Sequence, residues 1–377
     1  MKYSWKDKNI VSDIKRLEKL ASSEKDIRKK CYYIRTIDYL NATLDENMLS
    51  NIDVKKTKNH MMCDIQESIK FYKRYYDLIE MFYSICNKSY DVMSGLYNES
   101  CDLDYKFKYI KHEDTLSLVH DFYKVVDKEF FDCFLRIYNN RYKLIRFSNS
   151  DIYLNGIITS GSCVSVGGLD KCYITVSNDR GVLKPINLSH ECGHGILNIY
   201  NSNLLYNQKD EFASEIGSIF FELAFNYDIG KNFDSFDSAL NNIQELSDRI
   251  DITNSLMIHR VLVKVWEKNN YKVDNNFYKI AKQEYNLTRE RVDTALNTSI
   301  TNEGVYAIDY MIALNILNIY RQDKKSAIKL LKDITNYDNY DSYEMINVLM
   351  PNLNRFSDEI NDIIYTYDNE FKKINRK

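Results

Sequence analysis

Proline and glycine are scarce in this chain, at 2 and 11 of 377 residues, too few punctuation points for a sandwich or barrel of many short strands. Long helices are the expectation. A charge bias is lacking as well: 51 Lys and Arg against 54 Asp and Glu leave a formal charge of −3, with no basic footprint for nucleic acid. There is no Gly-rich phosphate loop and no repeated basic-aromatic segment. The 8 cysteines are dispersed without a Cys-x-x-Cys pair, which argues against a disulfide scaffold and for a reducing compartment. The most apolar helical run, Val305 to Tyr320, is short for a bilayer span and contains Asp309, so a buried helix is expected and no membrane partner. The amino-terminal MKYSWKDKNIVSDIKR has no apolar stretch of signal-peptide length; the expected location is the cytoplasm.

What is abundant is helical periodicity. From about Trp5 to Tyr138 apolar residues recur at three-and-four spacing, as in Ile65 to Ile85, and the many tyrosines and phenylalanines there serve packing. This predicts a mainly helical lobe over 1–140. The pattern then changes. KLIRF and DIYLNGIIT look like strands, and SCVSVGG with KCYITVS like a small hairpin that ends at an Asn178 to Gly181 turn. A helix beginning near Asn187 follows, with Pro185 just outside it. Glu211 to Phe225, the Val305 to Tyr320 run and SAIKLLKDI add further helices, and Asn336 to Ser342 reads as a polar connection. Residues 141–377 form the expected catalytic region, packed with the first lobe around one cleft.

The chemistry concentrates in His190-Glu191-Cys192-Gly193-His194. On a helix the two histidines, four positions apart, project to one face and can bind one zinc ion, with Glu191 placed as general base toward a zinc-activated water. Catalytic zinc commonly takes two histidines and a carboxylate. Glu215 is the first candidate for that carboxylate, with Glu211 and Glu222 as rivals. Cys192 and Ser189 are expected to pack or form local hydrogen bonds, and His60, His112, His120 and His259 lack ligand spacing.

Leu188 to Gly195, followed by Ser214-Glu215-Ile216-Gly217-Ser218, resembles the oligoendopeptidase F and thimet oligopeptidase family, with its HExGH motif and its third ligand in a later Glu-x-x-Ser helix. The resemblance, clearest from Gly161 to Tyr320, implies a predominantly α-helical, zincin-like metallopeptidase with a small β-sheet beside the active-site helix. It implies His190, His194 and Glu215 as ligands of one catalytic zinc ion and Glu191 as the base. It also implies an extended peptide lying against a strand beside the cleft, for which residues 171–177 are the candidate, with no demand for one side-chain sequence. Tyr306-Ala307-Ile308-Asp309-Tyr310 resembles the family's tyrosine-bearing helix, so Tyr310 first and Tyr306 second are the expected donors to the developing oxyanion. The family places a histidine shortly before those tyrosines; residues 296–305 contain none. The expected activity is zinc-dependent endopeptidase action on short or unstructured peptides. The alternatives are a catalytically impaired zinc-containing peptide-binding protein and a protein-interaction module.

Overall fold

The computed structural model describes residues 7–44, 76–87, 109–148, most of 152–178, 183–201, 212–229, 256–297 and 300–336, with a few single positions between them. It is predominantly helical with one small three-stranded sheet beside the HExxH helix, as the periodicity and the motif led one to expect. The chain divides into two compact units, each gathered from three separate stretches.

The first unit takes residues 1–52, 106–237 and 313–345. Helices α1 (Asp7–Ser23) and α2 (Ile27–Leu44) open it, followed by α4 (His112–Val126), α5 (Lys128–Tyr138) and the single turn α6 (Arg141–Leu144). Strand β1 (Ile145–Ser148) comes next. A two-stranded antiparallel hairpin, β2 (Ile152–Leu154) with β3 (Ile157–Thr159), accounts for DIYLNGIIT. Strands β4 (Gly161–Val166) and β5 (Lys171–Ser177) form the expected hairpin, with Cys163 opposite Ile174. β1 then adds to β5 in parallel, Ile145 opposite Ile174, so the sheet order is β1-β5-β4. This overturns one expectation: β5 is the central strand, hydrogen-bonded on both sides, and residues 171–177 offer no edge to a peptide.

Alternation along the strands gives the sheet two different faces. Val164, Val166 and Tyr173 turn toward the α1–α2 hairpin, whose Ile10, Ile14, Leu17 and Ala21 form the matching stripe at helical spacing. Tyr173 donates to the buried Asp13 carboxylate of α1 at 2.5 Å, and Lys171 pairs with the same group, which pins this layer. Gly161, Cys172 and Ser165 turn the other way, against α7 (Leu183–Tyr200), which carries the motif. That helix starts before the expected Asn187, and Pro185 lies inside its first turn, where the missing N–H would have had no helical partner. α8 (Phe212–Asp228) packs along α7, and an aromatic cluster of Phe122, Tyr123, Phe130, Phe134, Phe221 and Phe225 fills the space among α4, α5 and α8. α12 (Lys324–Thr335) is tied on at both ends, Lys324 to Asp228 at 2.9 Å and Lys332 to Asp127 at 2.8 Å.

The second unit takes residues 53–105, 238–312 and 346–377. Its described helices are α3 (Tyr76–Asn87), the segment 256–268, α9 (Asn275–Tyr285) and α10 (Arg289–Asn297). Arg260 clamps Glu80 through two hydrogen bonds of 2.9 Å, and Lys264 joins at 3.3 Å. Asp274 caps α9 by accepting from the Asn276 and Phe277 amides. α11 (Ile300–Gln322) starts in this unit and finishes in the first. No described helix is long and apolar enough to cross a membrane. Most of the Ile65 to Ile85 pattern before α3, and the 337–342 connection, lie outside the described residues.

Candidate metal centre

Two helices build the site, and a glycine sets their separation. A Cβ on Gly193 would lie 2.9 Å from the Ser218 Cα and 2.9 Å from the Phe221 ring, so only glycine lets α7 come this close to α8. Cys192 beside it is buried, and Ser189 donates to the Phe221 carbonyl at 3.3 Å, both in the packing roles expected of them. Tyr123, fully buried on α4, fixes α7 from behind by donating to the Ser189 carbonyl at 2.8 Å.

This approach brings His190 and His194, one helical turn apart on α7, to Glu215 in the first turn of α8. The two Nε2 atoms lie 3.4 and 3.5 Å from the same Glu215 Oε2. Ligand atoms held about 2.0–2.1 Å from a tetrahedral zinc lie roughly 3.3 Å apart, so spacing and donor set both fit that ion. Among the described residues these three are the side chains of ligating type that converge within 4.8 Å, and none of the cysteines joins them. Glu211, one rival, lies outside the described residues. Glu222, the other, accepts a hydrogen bond from His190 Nδ1 at 2.8 Å: it is the outer carboxylate that fixes the ring and leaves Nε2 to face the centre.

The electrostatics follow from burial and pairing. Burial opposes charge on His190, but hydrogen bonds to Glu215 and Glu222 outweigh it and push its pKa well up. Burial also works against ionising Glu215, yet the two imidazoles hold its carboxyl far below the usual range. Glu191, 7% exposed, is raised because burial outweighs the pull of the histidines. Its neighbour across the gap is the start of β4. A Cβ on Gly161 would fall 2.4 Å from Glu191 Oε1 and 2.7 Å from its Cγ. That close approach went unread in the sequence, where the strand candidate began one residue later, at Ser162.

The remaining candidates are placed but not joined to this group. Tyr310 is buried on α11, and Tyr306 lies one turn earlier on the same helix, both in the stretch assigned to the second unit. His112 bonds Asn178 at 2.9 Å and stacks on Phe147; His120 packs against Phe131 and Tyr138; His259 is buried. His60 lies outside the described residues.

No family model matches the chain, and no curated protein matches it in sequence. Solved structures do match. PZ peptidase A, determined with an inhibitor, aligns over 94% of this chain and 71% of its own at 14% identity, with a TM-score of 0.55. A candidate oligoendopeptidase F from Bacillus anthracis aligns over 90% of this chain and 68% of its own at 16% identity, with a TM-score of 0.49. Another candidate oligoendopeptidase F structure gives 96%, 76%, 13% and 0.47 for the same quantities. The likeness to PZ peptidase A shows the fold, a predominantly helical one, and in this chain that fold brings together a His-His-Glu group able to hold a metal ion.

Proposed function

We propose that this chain is a zinc-dependent endopeptidase of the oligoendopeptidase F type, a divergent member, acting on short or unstructured peptides. The observation that carries the proposal is the convergence of His190, His194 and Glu215 with Glu191 buried alongside. Bound by those three residues, zinc supplies a Lewis acid for the peptide carbonyl and lowers the pKa of water. Glu191 accepts the proton of the attacking water and delivers it to the departing amine nitrogen, so no covalent acyl-enzyme is needed. Glu222 keeps His190 in one tautomer and orientation. Tyr310, or Tyr306 one turn before it, donates to the carbonyl oxygen as negative charge develops there.

The peptide binds extended along β4, the strand that ends the described sheet and starts beside Glu191. Main-chain pairing with that edge gives affinity without a fixed side-chain sequence. Cys31, Cys133, Cys163, Cys172 and Cys192 are free thiols, consistent with the cytoplasm as the proposed location.

The test is mass-spectrometric detection of internal cleavage in a diverse peptide mixture by zinc-loaded protein and by its zinc-loaded Glu191→Gln variant. Products from the intact sequence that vanish in the variant are expected. Zinc-loaded, folded protein that yields none would overturn the peptidase reading and leave the zinc-containing peptide-binding protein, which the lack of a histidine in 296–305 already favours as the second reading.

A further inference from the structure

The outer edge of β4 is not open along its whole length. Asn178, just past β5, donates its amide to Ser148 of β1 at 2.7 Å. In this part of β5, even-numbered residues therefore direct their main-chain groups to β1, and odd-numbered ones direct theirs to β4. The register pairs Lys171, Tyr173 and Thr175 with Val166, Val164 and Ser162. Cys163 and Ser165 are left to direct their amides and carbonyls to the outer edge. At Ser165 that carbonyl is already taken: Tyr32, on α2, donates its hydroxyl to it at 2.7 Å. The Ser165 hydroxyl, on the α7 face, accepts from Asn198, so both sides of this residue are held.

We infer that Tyr32 is a specificity-determining residue that ends the peptide-pairing edge of β4 at Ser165 and so limits how many residues of a substrate pair on one side of the cut. The inference rests on the proposed peptide binding along β4. Main-chain groups on one edge recur every second residue, so between Glu191, beside Gly161, and the Tyr32 block there is room for about three paired peptide residues. An antiparallel ladder is the more stable pairing, and it places those residues on the amino-terminal side of the scissile bond. Peptide residues farther out find the Ser165 carbonyl already bonded to the Tyr32 hydroxyl in place of a free ladder partner. The block is a short-range ruler built from one hydroxyl and one carbonyl.

The experiment measures binding by fluorescence anisotropy to zinc-loaded Glu191→Gln protein, with labelled peptides that share a carboxy-terminal half and carry from one to six residues before the cut. Affinity is expected to rise several-fold per added residue up to about three and then stay flat. Tyr32→Ala should extend the rise by about two residues, tightening the longest peptides at least threefold and leaving the shortest unchanged. Tyr32→Phe, which keeps the ring packing and frees the carbonyl, should move the plateau in the same direction; it decides alone if Tyr32→Ala does not fold. A rise that continues past four residues in protein with Tyr32 intact, or a plateau that neither variant moves, overturns the inference. Cleavage by the unsubstituted chain, assayed in parallel, separates the two ideas. Cleavage with no Tyr32-dependent limit sinks the ruler alone, whereas neither binding nor cleavage sinks the peptidase reading with it.

Discussion

At Gly161 one added carbon collides with Glu191, the proposed general base. The Cβ of alanine would occupy the space of Glu191 Oε1 and Cγ, and Glu191 is too buried to swing away freely. Gly161→Ala is therefore expected to displace the carboxylate from its working position while leaving the metal ligands in place. A misplacement of this size costs about a hundredfold in rate. The measurement is kcat/KM together with zinc content: a drop of that order with one zinc still bound supports the contact, and loss of zinc would mean that the strand itself had moved. Glu222 acts at the same scale but on the other property. Glu222→Gln retains the shape and removes the charge that holds His190 Nδ1. Chelator competition should report zinc binding about 10–100-fold weaker, the usual effect of removing an outer carboxylate.

Among the elements, the pairing of α3 with the 256–268 segment rests on charge, and pH should expose it. Glu80 is held at a pKa of about 2 chiefly by the Arg260 hydrogen bonds, which outweigh burial, with Tyr76 and Lys264 adding to them. A folded-state pKa below the unfolded value stabilises the fold above about pH 4.5 and stops doing so as pH falls toward 2. Because these side chains are 23–39% exposed, screening reduces the contribution to about 1 kcal/mol. Urea midpoints of the unsubstituted protein and of Glu80→Gln should accordingly differ near pH 6 and converge between pH 4.5 and 2; parallel curves would exclude the clamp as their cause. No periodicity announces this contact, because its partners stand 180 positions apart. Local patterns were legible: α8 and α11 from three-and-four spacing, the β4–β5 hairpin from alternation, and the convergence of His190, His194 and Glu215 as a candidate metal site from HExxH and Glu-x-x-Ser. Strand order was not, since β1 adds to β5 in parallel across the intervening β2–β3 hairpin and β4, and that order moved the proposed peptide edge from 171–177 to β4.

For the molecule as a whole, metal binding should be felt unevenly. Both histidines lie on α7 and the glutamate on α8, all within the first unit, so any opening that parts these helices releases the ion. At free zinc a hundredfold above its dissociation constant, such an opening becomes about 2.7 kcal/mol more costly, which slows amide exchange about a hundredfold. Openings that leave α7 against α8 carry no such penalty. Hydrogen exchange followed with and without zinc should thus show strong slowing in 183–200 and 212–228. It should show little in 275–297, which carries none of the three ligands. Slowing of the same size in every segment would mean that the ion leaves only on global unfolding. No slowing in α7 and α8, with zinc bound at one per chain, would place the metal elsewhere and remove the basis for Glu191 as the base.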